Sequence, residues 1–182
     1  MSQKGFTLIE LLVVIAIVAI LSTAVVLTLN PAELLRQARD ATRISDLATI
    51  RSALALYLAD VTTPSLGNAA LCYVNPAIAV GSGCLTRFAA GTNTTDPDVL
   101  VDGTGWIPVN FTLISSGAPI AVLPTDPTNS ATQYFYAYRI GGVGNLQFEV
   151  NADMESAKYA AEEVIDGGSS PGFYETGTIL SL

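Results

Sequence analysis

A long apolar run near the start of the chain limits the fold more than any other feature. Leu11 to Leu29 is nineteen residues whose only polar members are Ser22, Thr23 and Thr28. As an α-helix this run would extend about 28 Å, close to the hydrocarbon thickness of a bilayer. The sequence therefore predicts a membrane-spanning helix, and the rest of the 182 residues suffices for one domain of ordinary size.

Charge is distributed unevenly along the chain. From Asp60 onward there are twelve acidic residues and three basic ones, so this part would repel nucleic acid at neutral pH. The other basic residues mostly follow the apolar run, a position that suits a segment beside a membrane. Those after the run are Arg36, Arg39, Arg43 and Arg51. We expect no nucleic-acid partner for the acidic part.

The chain has no histidine and two cysteines. Without histidine, the Ser-His-Asp and Cys-His nucleophile systems and imidazole metal sites are excluded. Cys72 and Cys84 are twelve positions apart, too far for the spacing of a Cys-x-x-Cys redox or zinc site. We predict a disulfide between them in an oxidising compartment, with two unpaired buried thiols as the alternative.

Glu10 places a carboxylate at the threshold of the apolar run. An ionised carboxylate in hydrocarbon costs on the order of 3 kcal/mol even on lenient insertion scales, so it requires a partner. The alternative is that Glu10 lies at the headgroup level, in reach of water, and has no role. A polar leader, Met1 to Gly5, carries one positive charge at Lys4 and is followed directly by the string FTLIE.

The stretch KGFTLIELL, from Lys4 to Leu12, resembles the class III leader of type IV pilins and the related pseudopilins at every position. The resemblance implies that a membrane peptidase cuts between Gly5 and Phe6, that Phe6 is then N-methylated, and that the apolar helix stays attached. It also implies that Glu10 pairs with the amino terminus of a neighbouring subunit. Physical reasoning agrees, because each charge is costly in an apolar environment and each offsets the other.

A conventional secretory signal is the alternative to this leader. Its cleavage would fall near Ser22, Thr23 and Ala24 and would release a soluble domain. In such a signal the apolar core lies between the basic end and the cleavage site, whereas here the apolar segment comes after Gly5.

Residues 31–60 are predicted to form an amphipathic helix. Pro31 is tolerated near a helix start but would kink a continuous helix, so a bend or local unwinding is expected there. The charged face, with Arg36 and Asp40 as an i,i+4 pair, is expected to be solvated. In an assembled fibre its arginines could instead meet the acidic heads of other subunits. Apolar residues recur at steps of three, four or seven positions, at Leu34, Ala38, Ala41, Ile44, Leu47, Leu54 and Leu58.

Residues 61–105 are predicted to be a connecting region held by the Cys72–Cys84 link, because Pro and Gly recur and no periodicity is sustained. Residues 106–182 are predicted to form a β-sheet head, whose clearest signal is a hairpin of YFYAYRI and LQFEVN about a turn at 141–145. If Ile140 faces Leu146, the large apolar side chains share one face of the sheet. Trp106 is expected to be a core or interface anchor rather than a ligand platform.

Turn residues beside carboxylates flank this hairpin. The layout resembles the pseudopilins of type II secretion, some of which bind calcium in the terminal loop. The candidate oxygen ligands are Asp126, Asn129, Asp153, Asp166 and Glu175. Their spacing fits no EF-hand, and Asp before Pro or Gly is typical of turns, so we predict no metal and no cofactor, with calcium as the alternative. Asp153 is also predicted to cap a short helix over 153–165.

Together these features predict an α+β protein. It comprises a leader (1–5), a hydrophobic helix (6–30), the amphipathic helix and a small antiparallel β-sheet head on which the long helix packs. The resemblance implies a structural subunit rather than an enzyme. It would begin as a single-pass protein of a bacterial or archaeal-type cytoplasmic membrane and polymerise with itself into an extracellular filament.

The expected partners are membrane lipid, a prepilin peptidase, further copies of the chain, and a pilus or secretion assembly platform. The alternative within the same family is the major pseudopilin of a type II secretion system, in a periplasmic pseudopilus. The alternative from another class is a membrane-tethered enzyme or binding domain that uses carboxylates of the acidic head.

Overall fold

The computed structural model describes residues 5–76, 81, 83–142, 144 and 146–182, with the backbone alone for 26–28. The leader before Gly5, including Lys4, and Val143 and Asn145 of the predicted turn lie outside the described residues. The chain divides into two compact units, one up to Arg36 and one from Gln37 onward. The α+β class predicted from the sequence is confirmed.

The apolar run forms helix α1 (Leu8–Leu29). By length and composition its segment Leu8–Val25 is able to cross a membrane, and none of that segment is buried against other parts of the described chain. The hydroxyls of Ser22 and Thr23 donate to the main-chain oxygens of Val18 and Ala19, at 2.7 and 3.0 Å. Because these polar groups are satisfied within the helix, they do not oppose transfer into lipid.

The helical path is interrupted at Asn30. Its backbone has φ 40° and ψ 70°, the left-handed conformation that Asn tolerates better than most residues. The Asn30 side-chain oxygen accepts from the Glu33 amide at 3.4 Å, so the same residue ends α1 and caps the next helix, α2 (Pro31–Asp60). The break expected near Pro31 therefore lies one residue earlier.

From Gln37 onward, one face of α2 packs against the head. Leu47, Ile50, Leu54 and Tyr57 are almost completely buried and form a single core with apolar residues of the sheet. Trp106 joins that core and donates its indole N–H to the Pro124 main-chain oxygen at 3.1 Å, so of its two predicted places, core or interface, the fold shows the core.

The head contains a five-stranded sheet in the order β2-β1-β3-β4-β5. Its β1/β2 pair is parallel and the other pairs are antiparallel. The strands are β1 (Leu71–Val74), β2 (Thr92–Thr95), β3 (Ala137–Ile140), β4 (Phe148–Ala152) and β5 (Tyr174–Gly177). The short helical elements are α3 (Gly83–Thr86), α4 (Ala157–Ala160) and 3-10 turns at Phe111–Leu113 and Glu162–Val164.

Two strands, β1 and β2, come from the segment in which the sequence predicted only connecting structure. Each has four residues, and β2 (TNTT) is a polar edge strand without apolar alternation, so neither gives a clear strand pattern. A parallel pair needs a long crossover. Here the crossover is the cysteine-linked stretch between the two strands, which explains why the sheet is not purely antiparallel.

The predicted hairpin is present, but its register differs from the predicted one by two residues. Ile140 lies opposite Phe148 and Tyr138 opposite Val150, whereas Leu146 was expected opposite Ile140. The connection is longer than the predicted turn, since the Gly141 amide donates to the Gln147 oxygen at 2.9 Å. A shift of two positions keeps the alternation, so the apolar side chains still share the face that packs on α2.

The prediction of one helix over 153–165, capped by Asp153, is wrong about the capping residue and about the helix being continuous. Ser156, not Asp153, caps α4, and accepts from the Tyr159 amide at 3.3 Å. A separate 3-10 turn follows at Glu162–Val164, in which Glu163 is buried and accepts from the Met154 amide at 2.7 Å.

Candidate processing and assembly site

The segment just before α1 places a main-chain bond and a carboxylate close together. Gly5, Phe6 and Thr7 are not helical, and α1 begins at Leu8. The Phe6 side chain is 88% exposed, and a Cβ added to Gly5 would meet no atom within 4 Å. The Gly5–Phe6 peptide bond is therefore an open, non-helical bond two residues before the start of the helix.

Thr7 and Glu10 form a reciprocal capping box at the start of α1. The Thr7 hydroxyl oxygen accepts from the Glu10 amide at 3.3 Å, and the Glu10 carboxylate accepts from the Thr7 amide at 2.8 Å. The Thr7 hydroxyl also donates to that carboxylate at 2.7 Å. These contacts satisfy main-chain donors that the first turn of a helix otherwise leaves unpaired.

The capping box fixes the orientation of the Glu10 carboxylate. Both donors from Thr7 reach the same oxygen, Oε2. The side chain consequently stays folded against the helix start, where the positive end of the helix dipole favours a negative charge. Sequence analysis did not single out Thr7, although the pattern Thr-x-x-Glu before an apolar run is itself a sign of a capping box.

Apolar side chains surround this carboxylate on the helix surface. Phe6, Ile9, Val13 and Val14 line a shallow groove with Glu10. The apolar side chains of this groove are between 48% and 88% exposed. An apolar surface of this extent needs cover by lipid or by protein.

Two of the four arginines after the apolar run, Arg39 and Arg43, do not lie on the solvated helix face that the sequence predicted, whereas Arg36 and Arg51 are exposed. Arg43 is completely buried, and its guanidinium donates to Asp126, Asp40 and Glu155 at 2.6 to 2.9 Å. Arg39 is partly exposed and pairs with Glu155 as well. The acidic head does meet these arginines, but within one chain. Asp40 pairs with Arg43 rather than with Arg36 as predicted, while Arg36 lies 3.8 Å from Glu33.

Hydrogen bonds and ion pairs offset the desolvation cost of burying the charges of Arg43, Asp40, Asp126 and Glu155. Burial alone would lower the pKa of Arg43, but its bonds to Asp126, Glu155 and Asp40 outweigh that effect and raise it. The hydrogen bond from Arg39, with the contacts from Arg43, lowers the pKa of Glu155 to about 2. The Glu155 and Ser156 amides donate to the Asp40 carboxylate at 3.0 and 2.8 Å. The cluster therefore fastens α2 to two loops of the head.

The five candidate calcium ligands do not converge on one point. Asp126 binds Arg43 and Asn129 donates to Asn75, whereas Asp166, in the loop before β5, accepts from the main-chain amide of Glu175 in β5. Asp153 is held by Gln133 and stays close to Arg87. Within the described residues no three Asp, Glu, Cys or His side chains form a group suited to a metal ion.

The predicted disulfide between Cys72 and Cys84 is confirmed. Their Cα atoms are 5.8 Å apart, within the range for a disulfide, and both residues are fully buried. The bridge joins β1 to the loop that carries the chain to β2.

Comparison with known proteins finds a family motif in the segment that contains the start of α1. Residues 1–26 match the family described as "Prokaryotic N-terminal methylation motif". No curated protein and no solved structure matches the chain. The matched residues include the Gly5–Phe6 bond, the capping box and most of α1. The chain therefore carries the class III prepilin leader of type IV pilins and pseudopilins, at the start of an apolar helix suited to membrane anchoring.

Proposed function

We propose that this protein is a structural subunit of a type IV pilus-like extracellular filament. A prepilin peptidase cuts it between Gly5 and Phe6, Phe6 is N-methylated, and α1 holds the mature chain in the cytoplasmic membrane until it polymerises. The observation that carries the proposal is the methylation motif at residues 1–26, together with an apolar helix whose segment Leu8–Val25 is not buried among the described residues.

The local backbone supports cleavage at this bond. A peptidase binds its substrate in an extended conformation, and Gly5 and Phe6 are already outside the helix and exposed. The capping box starts α1 at Leu8 without any residue of the leader. Removal of the leader consequently leaves the helix cap intact.

Glu10 supplies the electrostatic step of assembly. Cleavage creates an α-amino group at Phe6, and an amino group and a carboxylate are each costly to bury alone. When a neighbouring copy brings its Phe6 amino group to Glu10, each charge offsets the other inside the apolar bundle. The Thr7 bonds occupy Oε2, which leaves Oε1 as the oxygen to accept from the incoming amino group.

Replacement of Glu10 by Ala tests this pairing. We expect Glu10→Ala to insert into the membrane and be processed as the wild type is, but to yield far less filament, because the neighbour's amino group is left without a counter-charge. Thr7→Val should give a smaller loss, since the carboxylate remains but its orientation does not. Thr23→Ala is the matched control, because the Thr23 hydroxyl bonds only within its own helix.

Filament yield is measured as the amount of the chain in fibres sheared from the cells, and membrane insertion as the amount of the chain in the membrane fraction. Normal filament yield from Glu10→Ala would refute the pairing. A loss of membrane insertion in Glu10→Ala would show instead that Glu10 acts before assembly.

The alternative is the major pseudopilin of a type II secretion system, which would form a short periplasmic pseudopilus. The same leader serves both classes of protein. Electron microscopy of surface fibres and mass spectrometry of their content separate the two. A fibre outside the cell that contains this chain supports the pilus, and a chain confined to the envelope supports the pseudopilus.

A further inference from the structure

Two sequence motifs in the head fit the attachment of a sugar to an asparagine. The pattern Asn-x-Thr, with any residue except Pro at its centre, is the acceptor of N-linked glycosylation in proteins outside the cytoplasm. The chain has this pattern at Asn93-Thr94-Thr95 and at Asn110-Phe111-Thr112. Many such motifs are never modified, so the surroundings of each asparagine decide between them.

Asn93 lies in a crowded region beside the disulfide. It stands opposite Cys72 in the β1/β2 pair, and its Oδ1 accepts from the Cys84 amide at 2.8 Å. A Cβ added to Gly81 would lie 3.6 Å from the Asn93 Nδ2, so this nitrogen is close to the main chain of Gly81. A sugar ring on Nδ2 needs space that the segment around Gly81 and Cys84 occupies. We therefore expect no sugar at Asn93.

Asn110 lies at the surface of a firmly anchored segment of the head. It forms an isolated antiparallel bridge with Asp102. The next side chain, Phe111, is fully buried and packs edge-on against Tyr57 of α2, with ring centroids 6.0 Å apart. Asp102 and Thr112, on either side of this anchor, are exposed. The motif is therefore fixed by its central residue, with solvent beside the asparagine.

The Asn110 side chain is held through its oxygen alone. Oδ1 accepts from the Thr112 amide at 3.0 Å and from the Thr112 hydroxyl at 2.6 Å, which forms an Asx turn. Nδ2 donates to no acceptor among the described residues. The buried side-chain polar atoms that lack a partner there belong to other residues, so the Asn110 Nδ2 is in reach of solvent. The nitrogen that would carry a sugar is thus both oriented and accessible.

We propose that Asn110 is a site of N-linked glycosylation. The donor is an oligosaccharide linked through pyrophosphate to a membrane lipid, and an oligosaccharyltransferase of the membrane transfers it. The bond from Nδ2 to C1 of the first sugar forms as the bond from C1 to the pyrophosphate oxygen breaks. Nδ2 loses one proton, and the lipid pyrophosphate leaves. The product keeps Oδ1 as an acceptor, so the Asx turn with Thr112 persists.

This modification rests on the proposed function in one respect, because the head must be outside the cytoplasm to meet the donor. The buried Cys72–Cys84 disulfide is a separate sign of such an oxidising compartment. Asn110 belongs to the unit from Gln37 onward, whereas the processing and assembly site belongs to the other unit. The two proposals are therefore open to separate tests.

The intact mass of the mature chain, purified from the organism's own cells, measures the modification. We expect the wild type to exceed the mass of the bare polypeptide by that of one oligosaccharide. Asn110→Gln and Thr112→Val should each lose this added mass, because the first removes the acceptor nitrogen and the second the hydroxyl of the motif. Thr112 is exposed, so its variants should fold even if Asn110→Gln does not. Asn93→Gln and Thr112→Ser are the matched controls and should keep the added mass.

A wild-type chain without added sugar would overturn the proposal. So would an added mass that survives Thr112→Val and is lost in Asn93→Gln. The first residue of the chain is read from the same samples, which separates this proposal from the proposed processing. An oligosaccharide on a chain that still begins at Met1 would support the site and contradict the processing, whereas a sugar-free chain that begins at Phe6 would do the reverse.

Discussion

At the scale of single residues, two charged side chains, Glu10 and Arg43, differ in how clearly the sequence marks them. Glu10 stands out in the sequence because it interrupts an apolar run. Arg43 does not stand out, because its partners Asp126 and Glu155 are 83 and 112 positions away and no local pattern links them. Its place on a charged helix face predicted solvent, whereas the fold buries it completely.

Arg43 is the residue whose loss should destabilise the head most. Arg43→Met would leave Asp126 and Asp40 buried without their cation and Glu155 with Arg39 alone, which costs about 3–5 kcal/mol of unfolding free energy. Urea unfolding of the full chain in detergent measures this. Arg51→Met, on an exposed part of the same helix, is the control and should change the unfolding free energy by less than about 0.5 kcal/mol. Equal effects of the two substitutions would contradict the role of the cluster.

At the scale of elements, the helices and strands that the sequence predicted are those with a long or regular pattern of apolar residues. α1 and α2 follow from long apolar and amphipathic patterns, and the β3–β4 hairpin follows from two aromatic runs about a Gly-rich turn. The register of the hairpin did not follow, because a two-residue shift preserves the same apolar face. β1, β2 and β5 have four residues each and acquire strand structure from their neighbours in the sheet.

The Cys72–Cys84 disulfide should stabilise the segment that connects β1 to β2. Its loop spans twelve positions, so closing it constrains the unfolded chain by roughly 3 kcal/mol on the chain-entropy model. We expect the double variant Cys72→Ala, Cys84→Ala to lose stability of this order, measured by urea unfolding without reductant. Reduction of the wild type should have a similar effect and should leave the double variant unchanged. A double variant as stable as the oxidised wild type would contradict this expectation.

At the scale of the whole molecule, the head is acidic inside as well as outside. Burial raises the pKa of Glu163 to about 7, while its bond from the Met154 amide acts in the other direction. Between its unfolded pKa of about 4.5 and this value, the folded chain binds the proton more tightly than the unfolded chain. The stability of the head should therefore rise as the pH falls from above 7 toward 4.5.

Thermal unfolding at pH 5.5 and pH 8.5 tests this sign. We expect a higher midpoint at pH 5.5, and a smaller difference between the two midpoints in Glu163→Gln. Below pH 4.5 the trend should reverse, because the pKa of Glu155 is lowered to about 2 by Arg39 and Arg43, and protonation of Glu155 favours the unfolded chain. A midpoint that rises steadily from pH 5.5 to pH 8.5 would contradict the assignment.

The measurement that tests the central claim most directly is the mass of the N-terminal peptide of the mature protein, isolated from the membranes of cells that contain a prepilin peptidase. The account predicts a chain that begins at Phe6 and carries one methyl group on its α-amino nitrogen. A chain that still begins at Met1, or one that begins near Val25 after cleavage as a secretory signal, would contradict it.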